Sequence, residues 1–283
     1  MLPSAGGAPQ ASAEQELLFQ TAAPVSIPPM DERVPLRLPF TAQALAEALL
    51  ACRAAPPSPP SHSERYRRAY APAYRVVLRR FGEALPTLAR VEAQLAAAGR
   101  AVLVMDGDCA SGKTTLASLL SQLYDCNVIH MDDFFLPFSM RSPARMAEAG
   151  GNIHYERFAE QVLGGLLYGR PFAYDAFNCH TGEQRAVPVT PTPLTIIEGS
   201  YALHPRFQAA YDTLPAVRVL MRVDGAEQRR RILARNGEAM LTRFVNEWIP
   251  LEKRYFQAYH SAQAGTLTLW SARHPEDEAS GEA

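Results

Sequence analysis

Residues 107–114 read Gly107-Asp108-Cys109-Ala110-Ser111-Gly112-Lys113-Thr114, and the fold class turns on that stretch. Its spacing is G-x-x-x-x-G-K-[ST], and it lies between the apolar run Ala101-Val102-Leu103-Val104-Met105 and a helix-forming run that begins at Lys113. Glycines at this spacing let the backbone turn its N–H groups inward, and a helix starting at the same point adds the positive end of its dipole. The stretch is therefore suited to hold phosphate oxygens. Composition sharpens the reading: of the 28 basic residues only Lys113 and Lys253 are lysines. Lys113 is placed to reach the β- and γ-phosphates of a nucleotide, the Thr114 hydroxyl to ligate magnesium, and Thr115 to support the α-phosphate. The expected ligands are ATP and Mg2+, and the nucleotide contacts are Gly107, Asp108, Cys109, Ala110, Ser111, Gly112, Lys113, Thr114 and Thr115.

Outward from this loop, short apolar runs alternate with stretches of helical period, the pattern of βαβ units and a parallel sheet. Strands are predicted over 101–105, 127–131, 194–198, 216–222 and 266–270, and helices over 113–123, 154–167, 205–211, 226–235 and 238–260. With the phosphate loop, this predicts a P-loop NTPase three-layer α/β sandwich around a mainly five-stranded parallel sheet. The long polar and aromatic stretch 169–193 reads as a substrate loop. Upstream, residues 1–38 are rich in Ala, Pro, Gly and Ser and read as disordered. Residues 39–99 read as a helical N-terminal extension, with helices over 41–53, 63–81 (broken near Pro72) and 85–98. The main domain is expected over 100–272, and a disordered tail over 273–283.

A net charge of -1 and a sequence pI of about 6.7 provide no basic field for nucleic acid or an anionic membrane. Cys52, Cys109, Cys126 and Cys179 show neither a C-x-x-C pair nor a metal-ligand spacing, which fits a reducing compartment. With neither a signal-peptide pattern nor a long apolar run, the chain reads as cytoplasmic. The expected partner is a small-molecule acceptor, and a homo-oligomer is left open.

In open α/β sheets ligands gather at the carboxyl ends of the strands, so the acids there matter most. Asp132 and Asp133 follow the run 127–131, and Glu198 ends the run 194–198. A hydroxyl acceptor needs a base, assigned to Asp132, and the metal needs a carboxylate, assigned to Glu198. Arg231 and Arg235 share a helix face at i, i+4 spacing and could close over phosphate. His154 and His180 lie among polar and aromatic residues and are candidate substrate contacts, and Tyr174 and Phe177 either stack on a planar acceptor or pack in the core. Arg141 and Arg145 are further candidates. Cys109 stands beside a helix N-terminus, a position that can lower a thiol pKa.

These residues resemble the uridine kinase and phosphoribulokinase group of P-loop kinases from about residue 101 to 260. The likeness rests on the loop 107–115, on His130-Met131-Asp132-Asp133-Phe134-Phe135, and on Leu194-Thr195-Ile196-Ile197-Glu198-Gly199-Ser200-Tyr201-Ala202-Leu203. The second block is similar to the family's Asp-Ser-Phe-Tyr, which puts its catalytic aspartate on Asp132. The third is similar to its Val-Glu-Gly block, which implies that Glu198 serves magnesium. Tyr174-Asp175-Ala176-Phe177-Asn178-Cys179-His180 is similar to the segment that lines the family's nucleoside pocket. Arg231 matches the lid arginine. The departures are Asp133 where the family has serine, Phe135 where it has tyrosine, His154 near the place of the ribose-binding aspartate, and a shortened lid. The resemblance implies a kinase of a small hydroxyl-bearing acceptor, with the catalytic set Asp132, Lys113 and Arg231. The rival reading is an ATPase or nucleotide-binding regulator acting on a protein partner. A GTPase is disfavoured because neither lysine lies in an Asn-Lys-x-Asp motif.

Overall fold

In the computed structural model, residues 17–21, 63–70, 74–179, 181–259 and 265–271 are described, and the chain divides into two compact units, Met1–Pro86 and Thr87–Ala283. In the first unit, Leu17–Thr21 (β1) pairs antiparallel with Tyr74–Leu78 (β2), from Leu17 opposite Leu78 to Thr21 opposite Tyr74. A strand thus stands in the stretch read as disordered. The helix expected over 63–81 is likewise interrupted: Glu64–Tyr70 (α1) is helical, and the chain is extended again by Tyr74. Pro72 and the β-branched pair Val76-Val77 account for the change. Arg79–Ala98 (α2) follows with Pro86 inside it, and the two units divide within this helix rather than at residue 100. The helix predicted over 41–53 and the tail 273–283 lie outside the described residues.

The second unit is built on Ala101–Gly107 (β3), in which every residue is buried. After the phosphate loop come Lys113–Leu123 (α3) and Cys126–His130 (β4). A 3-10 turn, Met131–Phe134, leads through a loop to Pro143–Ala147 (α4). A helix over 155–168 (α5) follows, with a π-helical stretch at Phe158–Leu163. Next come Phe172–Phe177 (β5), Gln184–Val189 (β6) and Leu194–Glu198 (β7), then Gln208–Thr213 (α6) and Ala216–Arg222 (β8). Gly225–Arg243 (α7), Ile249–Tyr259 (α8) and Leu267–Trp270 (β9) complete the unit.

The main sheet has the order β4-β7-β3-β8-β9, and every pairing in it is parallel. The predicted α/β sandwich around a five-stranded parallel sheet is the architecture found. β3 and β7 are buried throughout, as expected of interior strands covered on both faces. Met105, Glu198 and His130 lie level with one another across three strands, so their side chains point to the same face. This register is what gathers chemistry at the carboxyl edge.

The stretch read as a substrate loop is instead largely a hairpin. β5 and β6 pair antiparallel from Phe172 opposite Val189 to Phe177 opposite Gln184. Its alternation is legible in burial, where Tyr174 and Ala176 are buried while Ala173 is exposed. Tyr174 packs on Phe134, with ring centroids 5.2 Å apart.

Gly107 marks the point where the sheet turns into the loop. Its φ is +141°, and an added Cβ would stand 1.9 Å from the Met221 carbonyl oxygen, a backbone atom that cannot move aside. Gly237, with φ +77°, would meet nothing within 4 Å. Gly107→Ala is therefore expected to cost about 3 kcal/mol or more of unfolding free energy, against about 1 kcal/mol for Gly237→Ala. Denaturant titration of both variants checks this, and equal losses would contradict it.

Candidate phosphoryl-transfer site

The loop between β3 and α3 is held from outside by its carbonyls. The Gly107 and Asp108 carbonyls each accept from Lys113 Nζ at 2.8 Å. The Cys109 carbonyl accepts from Gln228 Nε2 at 3.0 Å, and the Ala110 carbonyl from Arg231 Nη1 at 3.1 Å. Asp108 is tied to the end of β8, where its carboxylate accepts from the Val223 N–H at 3.2 Å and pairs with Arg222 Nε at 3.1 Å. The N–H groups divide: those of Gly107, Asp108, Cys109 and Ser111 have protein acceptors. Among the described residues, those of Ala110, Gly112, Lys113, Thr114 and Thr115 have no protein acceptor. Positive φ values at Ala110 (59°) and Gly112 (101°) turn the chain so that these amides converge. Helix α3 begins at Gly112 without a side-chain cap, and the Ser111 hydroxyl is buried with no partner. A loop with these carbonyls bonded and these amides unpaired is a receptor for an anion.

The fold is that of a P-loop phosphate-binding domain.

Beneath the loop, the fully buried Asp106 carboxylate accepts from the N–H groups of Gly107 (2.6 Å), Tyr201 (2.9 Å) and Leu203 (2.9 Å) and from the Tyr255 hydroxyl (2.8 Å). One side chain thus joins β3, the loop after β7 and α8. Tyr255 is fully buried, and sequence reasoning did not single out Asp106. An acid inside an otherwise apolar strand immediately before the loop was the available signal.

The predicted metal pair is brought together: Thr114 Oγ1 donates to Glu198 Oε1 at 3.2 Å. A hydroxyl and a carboxylate oxygen are hard donors of the kind magnesium takes. Among the described residues there is no group of three His, Cys, Asp or Glu side chains that would cage a metal alone. That combination fits an ion which completes its shell with phosphate and water. His130 Nδ1 also meets Glu198 Oε1, at 2.6 Å, a contact sequence reasoning missed although the register across β4 and β7 requires it. The bond to Glu198 raises the His130 pKa above the ordinary imidazole value, against the opposing effect of burial.

Asp132 and Asp133 sit on the 3-10 turn just past β4. Asp132 is exposed, and no described residue hydrogen bonds its carboxylate. Surrounding protein, followed by the nearby Glu198 charge, raises its pKa above 3.8, while Lys113 and His130 pull the other way. Asp133 is differently occupied. Its carboxylate accepts from the Tyr174 hydroxyl at 2.9 Å, and its carbonyl from Arg157 Nη2 at 2.7 Å. Arg157, buried over the Phe134 ring at 5.2 Å, clamps the turn and was not foreseen.

Most of the other predicted residues make no hydrogen bond to the loop. Tyr174 is buried and offers its hydroxyl to Asp133 rather than a ring to a ligand, and Phe177 is buried too. His154 caps α5 by accepting from the Arg157 N–H through Nδ1 at 3.3 Å. Burial, then Arg157, lowers its pKa, which suits a neutral acceptor. The same Nδ1 lies 3.3 Å from Glu156, but an atom accepting from Arg157 carries no proton to donate there. Arg145 donates to the Gly151 and Ile153 carbonyls and to Glu156, and Arg141 to the Leu136 carbonyl, so both brace local backbone. Arg231 is engaged by Glu227 at 2.7 Å and by Ser271 at 2.9 Å besides the Ala110 carbonyl. In this structure it holds the outer side of the loop. Arg235 is exposed and donates to Asn236. His180 lies outside the described residues. Cys109 does not have the depressed pKa its position suggested: burial first, and then the Glu252 carboxylate, push the thiol well up.

No protein-family model matches the chain. Among solved structures, it is similar to one described as a possible uridine kinase from Bacillus stearothermophilus, at 19% identity over 65% of this chain and 99% of that one, with a TM-score of 0.45. It is similar to a candidate fructose transport system kinase from Silicibacter sp. TM1040, at 21% identity over 60% and 94% of the two chains, also at 0.45. It is similar as well to YFH7 from Saccharomyces cerevisiae, described as a candidate P-loop kinase with a circular permutation, at 13% identity over 53% and 59%, with a score of 0.40. Likenesses this loose transfer neither substrate nor activity.

Because the fold raises the Asp132 pKa, its protonated form is the one the folded state prefers. Stability from this group is complete below the ordinary value of 3.8 and is lost as pH rises through the raised value. Asp132→Asn is therefore expected to melt above the wild type at pH 7, with the gap closing as the pH falls below the ordinary aspartate range. Thermal melts across pH check this, and a variant less stable at pH 7 would contradict it.

Proposed function

We propose that the protein is an ATP-dependent phosphotransferase that moves the γ-phosphate of ATP to a hydroxyl of a small molecule. The observation that carries this is the pairing of a loop of unpaired amides with an unbonded carboxylate, Asp132, in one electrostatic neighbourhood. Lys113 and Glu198 both act on the ionisation of Asp132.

The chain's own groups account for the steps. Amides of the loop and the Lys113 ammonium hold the β- and γ-phosphates and draw off charge from the oxygen that will leave with ADP. Magnesium, when bound through Thr114 and Glu198, neutralises phosphate charge and fixes phosphate orientation. Asp132, free of other hydrogen bonds, accepts the acceptor's hydroxyl proton as the new O–P bond forms and the β–γ bridging bond breaks. Its raised pKa makes Asp132 a stronger base than an ordinary aspartate, and Asp133, held by Tyr174, shapes the acceptor side. His154, His180 and Arg235 remain proposed acceptor contacts. Arg231, by holding the Ala110 carbonyl, positions the loop and can release to cover the transferred group. The nucleoside named for the Bacillus structure, uridine, heads the acceptors to be tried, although Asp133, Phe135 and His154 depart from the uridine kinase pattern.

Purified protein with ATP and magnesium is expected to phosphorylate at least one member of a panel of nucleosides, sugars, sugar phosphates and pantothenate. Tight ATP binding with none phosphorylated would favour instead an ATPase or nucleotide-binding regulator with a protein partner. For the substrate found, Asp132→Asn should lower kcat by at least about 100-fold with ATP affinity kept. Unchanged turnover would remove Asp132 as base. On the acid side, kcat/KM should fall with an inflection above the ordinary aspartate value, in keeping with the raised pKa.

A further inference from the structure

Among the phosphate-loop amides that have a protein acceptor, one is held by an acidic side chain from a distant helix. The Cys109 N–H donates to the carboxylate of Glu252, Oε2, at 3.0 Å. Glu252 comes from α8, 143 residues away in sequence, and is only 6% exposed. Its second oxygen accepts from the Ser200 hydroxyl at 2.6 Å, and that hydroxyl also lies 3.1 Å from the Gly107 carbonyl. An acid is thus built into the wall of a receptor for anions.

Holding the Cys109 amide does not require charge. A neutral amide side chain of the same shape would accept from Cys109 through its oxygen. It would donate to Ser200 through its nitrogen, while Ser200 turned its proton to the Gly107 carbonyl. Burying a carboxylate is the costlier choice. Lys113 is the cation that bears on it, and that ammonium is already tied to two loop carbonyls. The charge must therefore act on something beyond the hydrogen bonds, and the neighbouring occupant with most charge is the polyphosphate itself. Resting on the nucleotide-binding part of the proposed function, we propose that Glu252 is a positioning residue that also opposes the charge of bound nucleotide, holding its affinity down so that spent nucleotide leaves.

Helix α8 carries both ends of this arrangement, because Tyr255, one turn beyond Glu252, bonds Asp106 beneath the loop. The carboxylate is thereby fixed in place and cannot swing away when phosphate enters. Burial, the largest effect, raises its pKa above the ordinary glutamate value, while Lys113, Ser200 and the Cys109 N–H and thiol act in the opposite direction.

The test is titration calorimetry of the full-length chain with ADP and magnesium, alongside thermal melts. Glu252→Gln keeps both hydrogen bonds and removes the charge, and it is expected to bind ADP about tenfold tighter than the wild type. A role limited to bracing the loop would leave the affinity unchanged or weaken it. Ser200→Ala, which keeps the charge and removes a brace, should bind ADP no more tightly than the wild type. Should Glu252→Gln fail to fold, Glu252→Ser, which replaces the charge with a small neutral group, is expected to show the same tightening. A wild-type chain that binds ADP while the neutral variants bind it no tighter overturns this inference and leaves the proposed function standing. A wild-type chain that binds no purine nucleotide overturns both.

Discussion

Everything at the carboxyl edge of the sheet depends on one division of labour in the backbone of residues 107–115. The carbonyls of residues 107–110 are bonded to side chains, while the amides of Ala110, Gly112, Lys113, Thr114 and Thr115 have no protein acceptor among the described residues. An N–H with no protein acceptor is left to water or a ligand, so several gathered at one helix start suit an anion. The carbonyl bonds come from three side chains: Lys113 at the start of α3, and Gln228 and Arg231 on α7. Loss of any one would let the loop turn a carbonyl inward, where it would repel phosphate.

The sheet makes this possible by register. β3 lies between β7 and β8, so the loop leaving it is flanked on one side by Glu198 and Ser200 and on the other by Met221 and Arg222. Asp106 then ties the strand end to the loop after β7 and to α8 through four hydrogen bonds. A carboxylate can accept that many donors where a neutral side chain could not, which explains an acid in the core. Helix α8 thus supports the phosphate loop at two levels, through Tyr255 from below and Glu252 from the side.

Much of this was legible in the sequence because it is local. The loop spacing, the run 194–198 and the helix 113–123 each follow from adjacent residues, and the structure reproduces the last two to the residue. The break between helices 226–235 and 238–260 reappears as the non-helical Gly237 within α7. Thr114 and Glu198 could be paired because strand ends gather ligands by topology. What was not legible depends on side chains meeting across long separations. Glu252 on Cys109, Arg157 on the Asp133 carbonyl and Tyr255 on Asp106 join residues that no local pattern relates. The hairpin β5–β6 escaped because its alternation is short and its composition polar. Tyr174 reads either way because an aromatic beside polar residues looks the same in sequence whether its ring faces a ligand or the core. At Cys109 the helix N-terminus that can lower a thiol pKa is outweighed by burial and by the Glu252 carboxylate.

The most direct test of the account is an amide proton and nitrogen NMR titration of the isotope-labelled chain with ADP and magnesium. Saturable shifts are predicted at the amides of Ala110, Gly112, Lys113, Thr114 and Thr115, larger than at Cys109, whose N–H already has an acceptor in Glu252. Saturation that leaves those five amides unmoved, or no saturation at all, would contradict the claim that this loop is the phosphate receptor.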